Sequence, residues 1–283
     1  MYSDIFTRIY FFKMLKKGIL STSLTIALLY VGVCIYFYSI QNAILFKPNP
    51  LPEDFNYTYT FDFEERWFDV TDGARVHAIH AKVLDSLRKG LVIYFHGNAG
   101  NNNTNPAKFE LFMKEGYDVL YPDYRGFGKS TGALENEDDL VGDMKIVYSE
   151  MVKEYDESDI FIVGYSMGSG ISALVAAAND PKGLMIWTPY YSMIDMKNSS
   201  YPFLPSFLVR YPLRTDLAIK SMDEPVTIFY AGEDEVLPVD RSIRLTELLK
   251  ETDEYLVLEG QRHDGMWRNS TVIEMVPEIL KGD

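Results

Sequence analysis

The chain has 283 residues, 47% of them hydrophobic, and a formal net charge of −14 at pH 7. A protein this acidic binds nucleic acid poorly and is repelled by anionic lipid headgroups. Its one cysteine, Cys34, excludes an intrachain disulfide and a cysteine-based metal site.

The N-terminus combines a short basic segment, residues 1–17, with an uncharged apolar run at 18–40. About 20 apolar residues cross the hydrocarbon core of a membrane, so we predict a transmembrane anchor at 18–40. The basic residues precede the anchor, which predicts a cytoplasmic N-terminus and a body on the non-cytoplasmic side. A buried core helix and a cleaved signal peptide are the alternatives, but the run is long for a signal peptide and no A-x-A-like site follows it. The start of translation stays open between Met1 and Met14.

A proline-bearing linker is predicted at 41–56, and a body at 57–283 in which strand and helix patterns alternate. Strands are predicted at 64–70, 75–83, 91–95, 118–121, 160–163, 184–187, 225–231 and 254–258. Helices are predicted at 106–115, 135–155, 169–178, 241–250 and 269–281. Apolar strands that alternate with helices predict a mostly parallel sheet covered on both faces.

A stretch rich in proline and aromatic residues, 188–224, interrupts this alternation and has no long helical period. We predict that it forms a small cap over the active site. Its aromatic residues Tyr190, Tyr191, Phe203 and Phe207 are expected to contact an apolar part of the substrate. An elaborate connection without substrate contact is the alternative.

The sequence Gly164-Tyr165-Ser166-Met167-Gly168 has the form G-x-S-x-G and lies between a predicted strand and a predicted helix. A turn this sharp holds the serine in a strained backbone, with its hydroxyl over the carboxyl edge of the sheet. A side chain at 164 or 168 would collide with the neighbouring strand or helix. We therefore predict Ser166 as a nucleophile and the backbone N–H of Met167 as an oxyanion donor.

A glycine-bearing loop at 96–101, His-Gly-Asn-Ala-Gly-Asn, directly follows the strand at 91–95. It predicts a second oxyanion N–H, from Asn98. After the next strand, Asp123 and Arg125 are expected to form a local ion pair. His77 and His80 face opposite sides of one strand, so they are not expected to share a metal.

A serine hydroxyl needs a base, nearly always a histidine oriented by a carboxylate. On this architecture the acid and then the histidine follow the serine along the chain. Of the 4 histidines only His263 follows Ser166, so it is the predicted base. The acid is expected after the strand at 225–231, where the carboxylates are Glu233, Asp234, Glu235 and Asp240. Asp234 is preferred, with Glu233 as the second choice.

Three blocks, YFHGNAGN at 94–101, DYRGFGKS at 123–130 and GYSMG at 164–168, resemble motifs of the α/β-hydrolase superfamily. The chain is most similar to the branch of serine aminopeptidase-like domains and membrane-anchored abhydrolase-domain proteins, over about residues 60–280. LFKP at 45–48 also resembles the anchored members. The resemblance implies an eight-stranded sheet, the catalytic residues Ser166, Asp234 and His263, and the oxyanion donors Asn98 and Met167. Members of the family usually read G-x-x-D before an ending like x-x-V-P, and this chain is one residue shorter between Gly232 and Asp234. Counting back from Pro238 therefore favours Asp234 as the acid, whereas counting forward from Gly232 favours Glu235.

These features predict a membrane-anchored serine hydrolase that cleaves esters or thioesters of a small molecule, a lipid or an acylated protein. No metal, organic cofactor or nucleic acid is expected to take part. A serine peptidase and a non-catalytic membrane adaptor on the same fold are the alternatives. The identity of the acyl group, the leaving group and the oligomeric state are left open by the sequence.

Overall fold

A computed structural model describes residues 2–282, with side chains from residue 9 onward. One compact unit ends at Ile44 and a second begins at Leu45. The first unit is formed by helix α1 (Tyr2–Leu45). Its stretch Ile9–Leu45 contains 18 consecutive residues with a mean hydropathy of 2.0 and is long and apolar enough to cross a membrane. The helix continues past the predicted end of the anchor at residue 40, because no helix breaker occurs before Pro48.

As far as residue 282, the second unit contains ten strands and seven further α-helices. The strands are β1 (Lys47–Pro48), β2 (Phe63–Asp69), β3 (Arg75–Ala81), β4 (Gly90–Phe95), β5 (Ala99–Gly100), β6 (Tyr117–Pro122), β7 (Ile160–Tyr165), β8 (Gly183–Trp187), β9 (Val226–Ala231) and β10 (Glu254–Leu258). The helices are α2 (Ala107–Met113), α3 (Asp143–Met151), α4 (Met167–Ala176), α5 (Met193–Ser200), α6 (Thr215–Ser221), α7 (Val239–Ser242) and α8 (Ser270–Lys281).

Eight of the strands form one sheet in the order β10-β9-β8-β7-β4-β6-β3-β2. The six strands from β10 to β6 are parallel, and β3 and β2 are antiparallel to their neighbours. The predicted mostly parallel, eight-stranded sheet is therefore confirmed. The loops after the parallel strands all emerge at one edge, which is where ligands bind in open α/β sheets.

The core lies on both faces of this sheet. Every residue of β4, β6, β7, β8 and β9 is buried. Along β4, Leu91, Ile93 and Phe95 belong to one apolar cluster, and Val92 and Tyr94 belong to another. Because successive strand residues point to opposite faces, strands covered on both faces are apolar throughout, and this is the pattern that the sequence carries.

Two predicted local features differ from the structure. The predicted helix at 241–250 is wrong in form, because α7 ends at Ser242 and a 3₁₀ helix, Ile243–Leu248, follows it. Thr246 Oγ1 donates to the carbonyl of Ile243 at 2.7 Å. This stretch is therefore one where β-branched side chains and a local hydrogen bond compete with α-helical geometry.

The predicted ion pair between Asp123 and Arg125 is also wrong. Arg125 instead pairs with Asp143, with 2.6 Å between its Nε and the carboxylate Oδ2. A second carboxylate, that of Asp139, lies 3.4 Å from Nη1 of Arg125. Sequence proximity suggested the nearest acid, whereas the fold brings α3 against the loop after β6.

Candidate active site

Ser166 occupies the turn between β7 and α4. Its backbone has φ 53° and ψ −119°, a region that a non-glycine residue rarely adopts. A Cβ at Gly164 would lie 2.1 Å from Ser172 Oγ, and one at Gly168 would lie 2.1 Å from the carbonyl oxygen of Phe95. The predicted need for glycine on both sides of the serine is confirmed, since the turn packs directly against its own helix and against the end of β4.

The side chains of Ser166, His263 and Asp234 form a continuous hydrogen-bonded chain. Ser166 Oγ lies 2.9 Å from His263 Nε2. His263 Nδ1 lies 2.8 Å from Asp234 Oδ2 and 2.9 Å from Oδ1. The three residues are 8%, 8% and 9% exposed, in the same order. The histidine can therefore accept a proton from the serine while its other nitrogen donates to a carboxylate largely shielded from water.

The loop after β9 fixes the orientation of the Asp234 carboxylate. Its Oδ1 accepts the backbone N–H groups of Val236 at 2.8 Å and of Leu237 at 2.6 Å. The carboxylate is thus held in one position facing the imidazole.

The other carboxylates of this loop do not face the imidazole ring. Glu235 is bonded to Arg262 Nη2 at 2.7 Å and accepts the backbone N–H of His263 at 3.2 Å. Hydrogen bonds from its own backbone N–H and from that of His263 lower the pKa of Glu235. Glu233 and Asp240 are exposed. Asp234, Glu233 and Glu235 were the three open choices for the acid, and the geometry brings Asp234 to the base.

The loop after β4 lies beside the nucleophile. A Cβ at Gly97 would lie 3.5 Å from Ser166 Cβ, so this loop and the turn after β7 are in close contact. Within residues 9–282, the backbone N–H groups of Asn98 and Met167 donate to no other protein group. An oxyanion site requires N–H groups without such protein partners, and the assignment of these two as its donors stays a prediction.

His96 begins this loop but is not placed to act as a base. Its carbonyl oxygen accepts the hydroxyl of Tyr124 at 2.7 Å, and its ring Nδ1 lies 2.7 Å from the carbonyl oxygen of Gly97. Burial lowers the pKa of His96 to about 3. Burial likewise raises the pKa of Asp123, whose Oδ1 lies 3.5 Å from His96 Nε2. The ring of His96 is therefore neutral at pH 7 and lies away from the hydrogen-bonded chain of Ser166.

Tyr165 is a residue of the site that sequence reasoning missed. Its hydroxyl donates to the carboxylate of Asp264 at 2.7 Å and lies 3.1 Å from the carbonyl oxygen of His263. Burial raises its pKa, so the hydroxyl stays a donor. The residue before the serine therefore ties the turn after β7 to the loop that carries the histidine. Its place inside G-x-S-x-G was the only signal available for it.

The predicted substrate contacts in the cap have different environments. Tyr190 is only 1% exposed, and its hydroxyl donates to the carbonyl oxygen of Met167 at 3.0 Å, so it holds the turn after β7 from within the core. Tyr191 is half-buried and lines a narrow cleft next to the loop after β9. Phe203 and Phe207 are 51% and 84% exposed. Tyr190 lines the same cleft as Tyr191, and substrate contact by the four residues stays a prediction.

Known proteins resemble this chain in sequence and in fold. The model of a family described as serine aminopeptidase, S33, matches residues 87–221. An uncharacterized protein of Mycobacterium tuberculosis is 25% identical over 262 residues, which cover 91% of this chain and 88% of that protein. The lysophosphatidylserine lipase ABHD12 of Danio rerio is 25% identical over 179 residues, which cover 56% of this chain and 47% of the lipase.

Among solved structures, an esterase of Pyrococcus furiosus superposes with a TM-score of 0.67 and 20% sequence identity. The match covers 84% of this chain and 97% of the esterase. Together with the parallel sheet, the strained serine turn and the family match, these similarities identify the chain as a hydrolase of the α/β-hydrolase superfamily.

Proposed function

We propose that this protein is a membrane-anchored serine hydrolase that cleaves acyl ester or thioester bonds. The observation that carries the proposal is the unbroken chain of hydrogen bonds from Ser166 through His263 to Asp234. Removing the serine proton as the bond to the substrate forms is what a base 2.9 Å away can do. An isolated surface serine has no such base.

In the first half of the reaction, Ser166 Oγ attacks the acyl carbonyl carbon and its proton passes to His263 Nε2. Asp234 accepts the hydrogen bond from Nδ1–H and stabilises the imidazolium ion. The carbonyl oxygen becomes an oxyanion, which the N–H groups of Asn98 and Met167 stabilise. His263 then protonates the leaving alcohol or thiol, and the acyl group stays on Ser166 as an ester.

In the second half, water takes the place of the leaving group. His263 removes a proton from the water as it attacks the acyl-enzyme, and the same two N–H groups hold the second oxyanion. Collapse of this intermediate returns the proton to Ser166 Oγ and releases the carboxylic acid. No step requires a metal ion or an organic cofactor, because every proton and every developing charge has a group of this chain assigned to it.

The substrate class is proposed from the activities for which relatives are named. The narrow cleft beside the loop after β9 is lined by Tyr191 and Leu237 but also by the charged Arg241, so the cleft does not itself select an acyl chain. Relatives are named as a lipase and as an esterase. The substrate is therefore an acylated small molecule, a lipid or an acylated protein. The serine aminopeptidase description of the family makes a peptidase the second candidate.

Labelling by a fluorophosphonate probe tests whether the serine is activated. We expect wild-type protein in detergent micelles to be labelled, and His263→Ala to lose at least about 100-fold in labelling rate because no base remains. The probe reacts with activated serines regardless of the leaving group. A folded wild type that stays unlabelled would favour the adaptor alternative, and faster turnover of peptides than of esters would favour the peptidase.

We propose that α1 anchors the protein in a membrane. The proposal rests on the uncharged apolar run at 18–40 and on the basic residues that precede it. Lys13, Lys16 and Lys17 come before residue 18, and positively charged flanks stay in the cytoplasm. The body that begins at Leu45 is therefore proposed to lie on the non-cytoplasmic side.

This orientation predicts that protease added outside intact cells, or to sealed vesicles of known orientation, degrades the body on its non-cytoplasmic face. A tag placed before Arg8 should survive the same treatment until detergent opens the membrane. Protection of the body together with digestion of the tag would show the opposite orientation.

A further inference from the structure

A segment that begins at the last residue of helix α1, residues 45–51, hereafter the strap, lies along the loop that carries Asn98. The N–H of Lys47 donates to the carbonyl oxygen of Asn98 at 2.8 Å, and the N–H of Asn49 donates to that of Gly100 at 3.2 Å. These bonds are the parallel pairing of β1 with β5. The strap thus adds a short strand to the loop beside the nucleophile.

Side-chain amides add a second set of bonds between the two segments. Asn98 Nδ2 donates to the carbonyl oxygen of Leu45 at 2.9 Å, and Asn101 Nδ2 donates to that of Asn49 at 2.6 Å. Asn98 is therefore held at both its carbonyl oxygen and its side chain. Within residues 9–282 its backbone N–H has no protein partner, so this donor stays available to a ligand.

The strap is itself fixed to the body, so it can act as a restraint. Phe46 is 7% exposed and packs edge-on against the rings of Tyr211, at 4.9 Å, and Phe127, at 6.4 Å. The N–H of Leu51 donates to the carbonyl oxygen of Gly128 at 2.7 Å. One end of the strap is thus seated in the core, and the other is bonded to the loop after β6.

The loop after β4 needs such a restraint. Gly97 has no side chain to fix it, and Gly100 has φ 88°, a conformation that glycine adopts without strain. An oxyanion donor must be aimed at the oxygen before the reaction, because a misplacement of about 1 Å can cost about 100-fold in rate.

We propose that the strap is a positioning element for the reaction. The carbonyl of Leu45 and the N–H of Lys47 hold Asn98 so that its N–H points at the oxyanion. This inference rests on the proposed function, in which Asn98 supplies one of the two donors. The strap is not a catalytic group, since it touches neither substrate nor reacting atoms. It also means that the segment joining the membrane helix to the body is part of the apparatus that sets the rate.

The test compares Lys47→Pro with Lys47→Ala in the full chain in detergent micelles. Proline lacks the N–H that bonds to Asn98, whereas alanine keeps it and removes only an exposed side chain. With p-nitrophenyl butyrate as substrate, Lys47→Pro should lower kcat by about 10- to 100-fold with KM changed less than about threefold, because an oxyanion donor acts mainly in the transition state. Lys47→Ala should keep wild-type kcat.

Binding of a trifluoromethyl ketone separates a misplaced oxyanion donor from a general loosening of the structure. Loosening alone would not change the inhibition constant and kcat by the same factor. The serine adduct of this ketone carries an oxyanion, so its inhibition constant should rise by the same factor by which kcat falls. A second variant, Asn98→Ala, keeps the backbone N–H of residue 98 but cuts the bond to Leu45, and should show the same pattern with a smaller loss. Asn103→Ala, at an exposed position of the following turn, is its control.

The outcomes separate this inference from the proposed function. If wild type hydrolyses the ester through Ser166 but Lys47→Pro and Asn98→Ala both keep wild-type kcat and inhibitor affinity, the strap has no positioning role and the hydrolase proposal stands. If the wild type is neither labelled by fluorophosphonate nor active on esters, the proposed function fails first. If Lys47→Pro lowers the melting temperature so far that it unfolds in the assay, Asn98→Ala decides the question.

Discussion

Replacing Ser166 with alanine should reduce kcat/KM for an acyl ester by at least about 10⁴-fold, since loss of a triad serine removes the nucleophile and costs about 10⁶-fold in known cases. The hydroxyl makes one hydrogen bond to another side chain, to His263, so its removal leaves the turn and the core intact. Hydrolysis of p-nitrophenyl butyrate by full-length wild type and variant in the same detergent measures the loss.

Ser169→Ala is the matched control for this change. Ser169 lies one turn further along α4, is fully buried, and its Oγ has no hydrogen-bond partner within residues 9–282. The same chemical substitution there should leave kcat/KM within about twofold of wild type, because it touches nothing in the catalytic chain. Equal losses in the two variants, or retention of more than about 1% activity in Ser166→Ala, would remove Ser166 from its proposed role.

Replacing Asp234 with asparagine should lower kcat by about 10⁴-fold while the protein stays folded. The amide oxygen can still accept the N–H groups of Val236 and Leu237, which Oδ1 accepts now. The amide nitrogen would then face His263 Nδ1 in place of a carboxylate oxygen. The imidazole would turn to the tautomer protonated at Nε2, which cannot take the proton of Ser166. Steady-state kinetics together with a thermal melt measure both parts of this expectation.

The neighbouring carboxylates provide the comparison that identifies the acid. Glu235→Gln keeps an oxygen for the backbone N–H of His263 and should change kcat by less than about fivefold, and Glu233→Gln, at an exposed position, should change it less. A large loss in Glu235→Gln with near-normal activity in Asp234→Asn would reverse the assignment.

Much of the fold could be predicted because its signals are local. The apolar runs of β4 and β7 and the glycines around Ser166 each identify their own structure within a few residues. His263 could be chosen because no other histidine follows Ser166 along the chain. The acid could not be settled by counting, because three carboxylates lie next to one another and the loop spacing departs from the family pattern. Only the direction in which each side chain points separates them.

The features that escaped prediction are those that depend on contacts between distant segments. The pairing of Lys47–Pro48 with Ala99–Gly100 is two residues long and has no periodicity. The bond between Arg125 and Asp143 joins residues on different elements. Tyr190 is predicted to contact the substrate, because the sequence does not distinguish a buried tyrosine whose hydroxyl has a hydrogen-bond partner from a tyrosine that faces a substrate.

The pairing of β1 with β5 also decides where a soluble form of the enzyme should begin. A chain that starts at residue 57, the predicted edge of the body, would lack the strand bonded to Asn98 and the buried ring of Phe46. Each lost hydrogen bond contributes about 0.5–1.5 kcal/mol, and a buried aromatic ring contributes more, against a total stability of about 5–15 kcal/mol for a typical domain. The compact body starts at Leu45. This residue is therefore the proper first residue for a protein that lacks the N-terminal helix and is made for crystallisation or inhibitor screening.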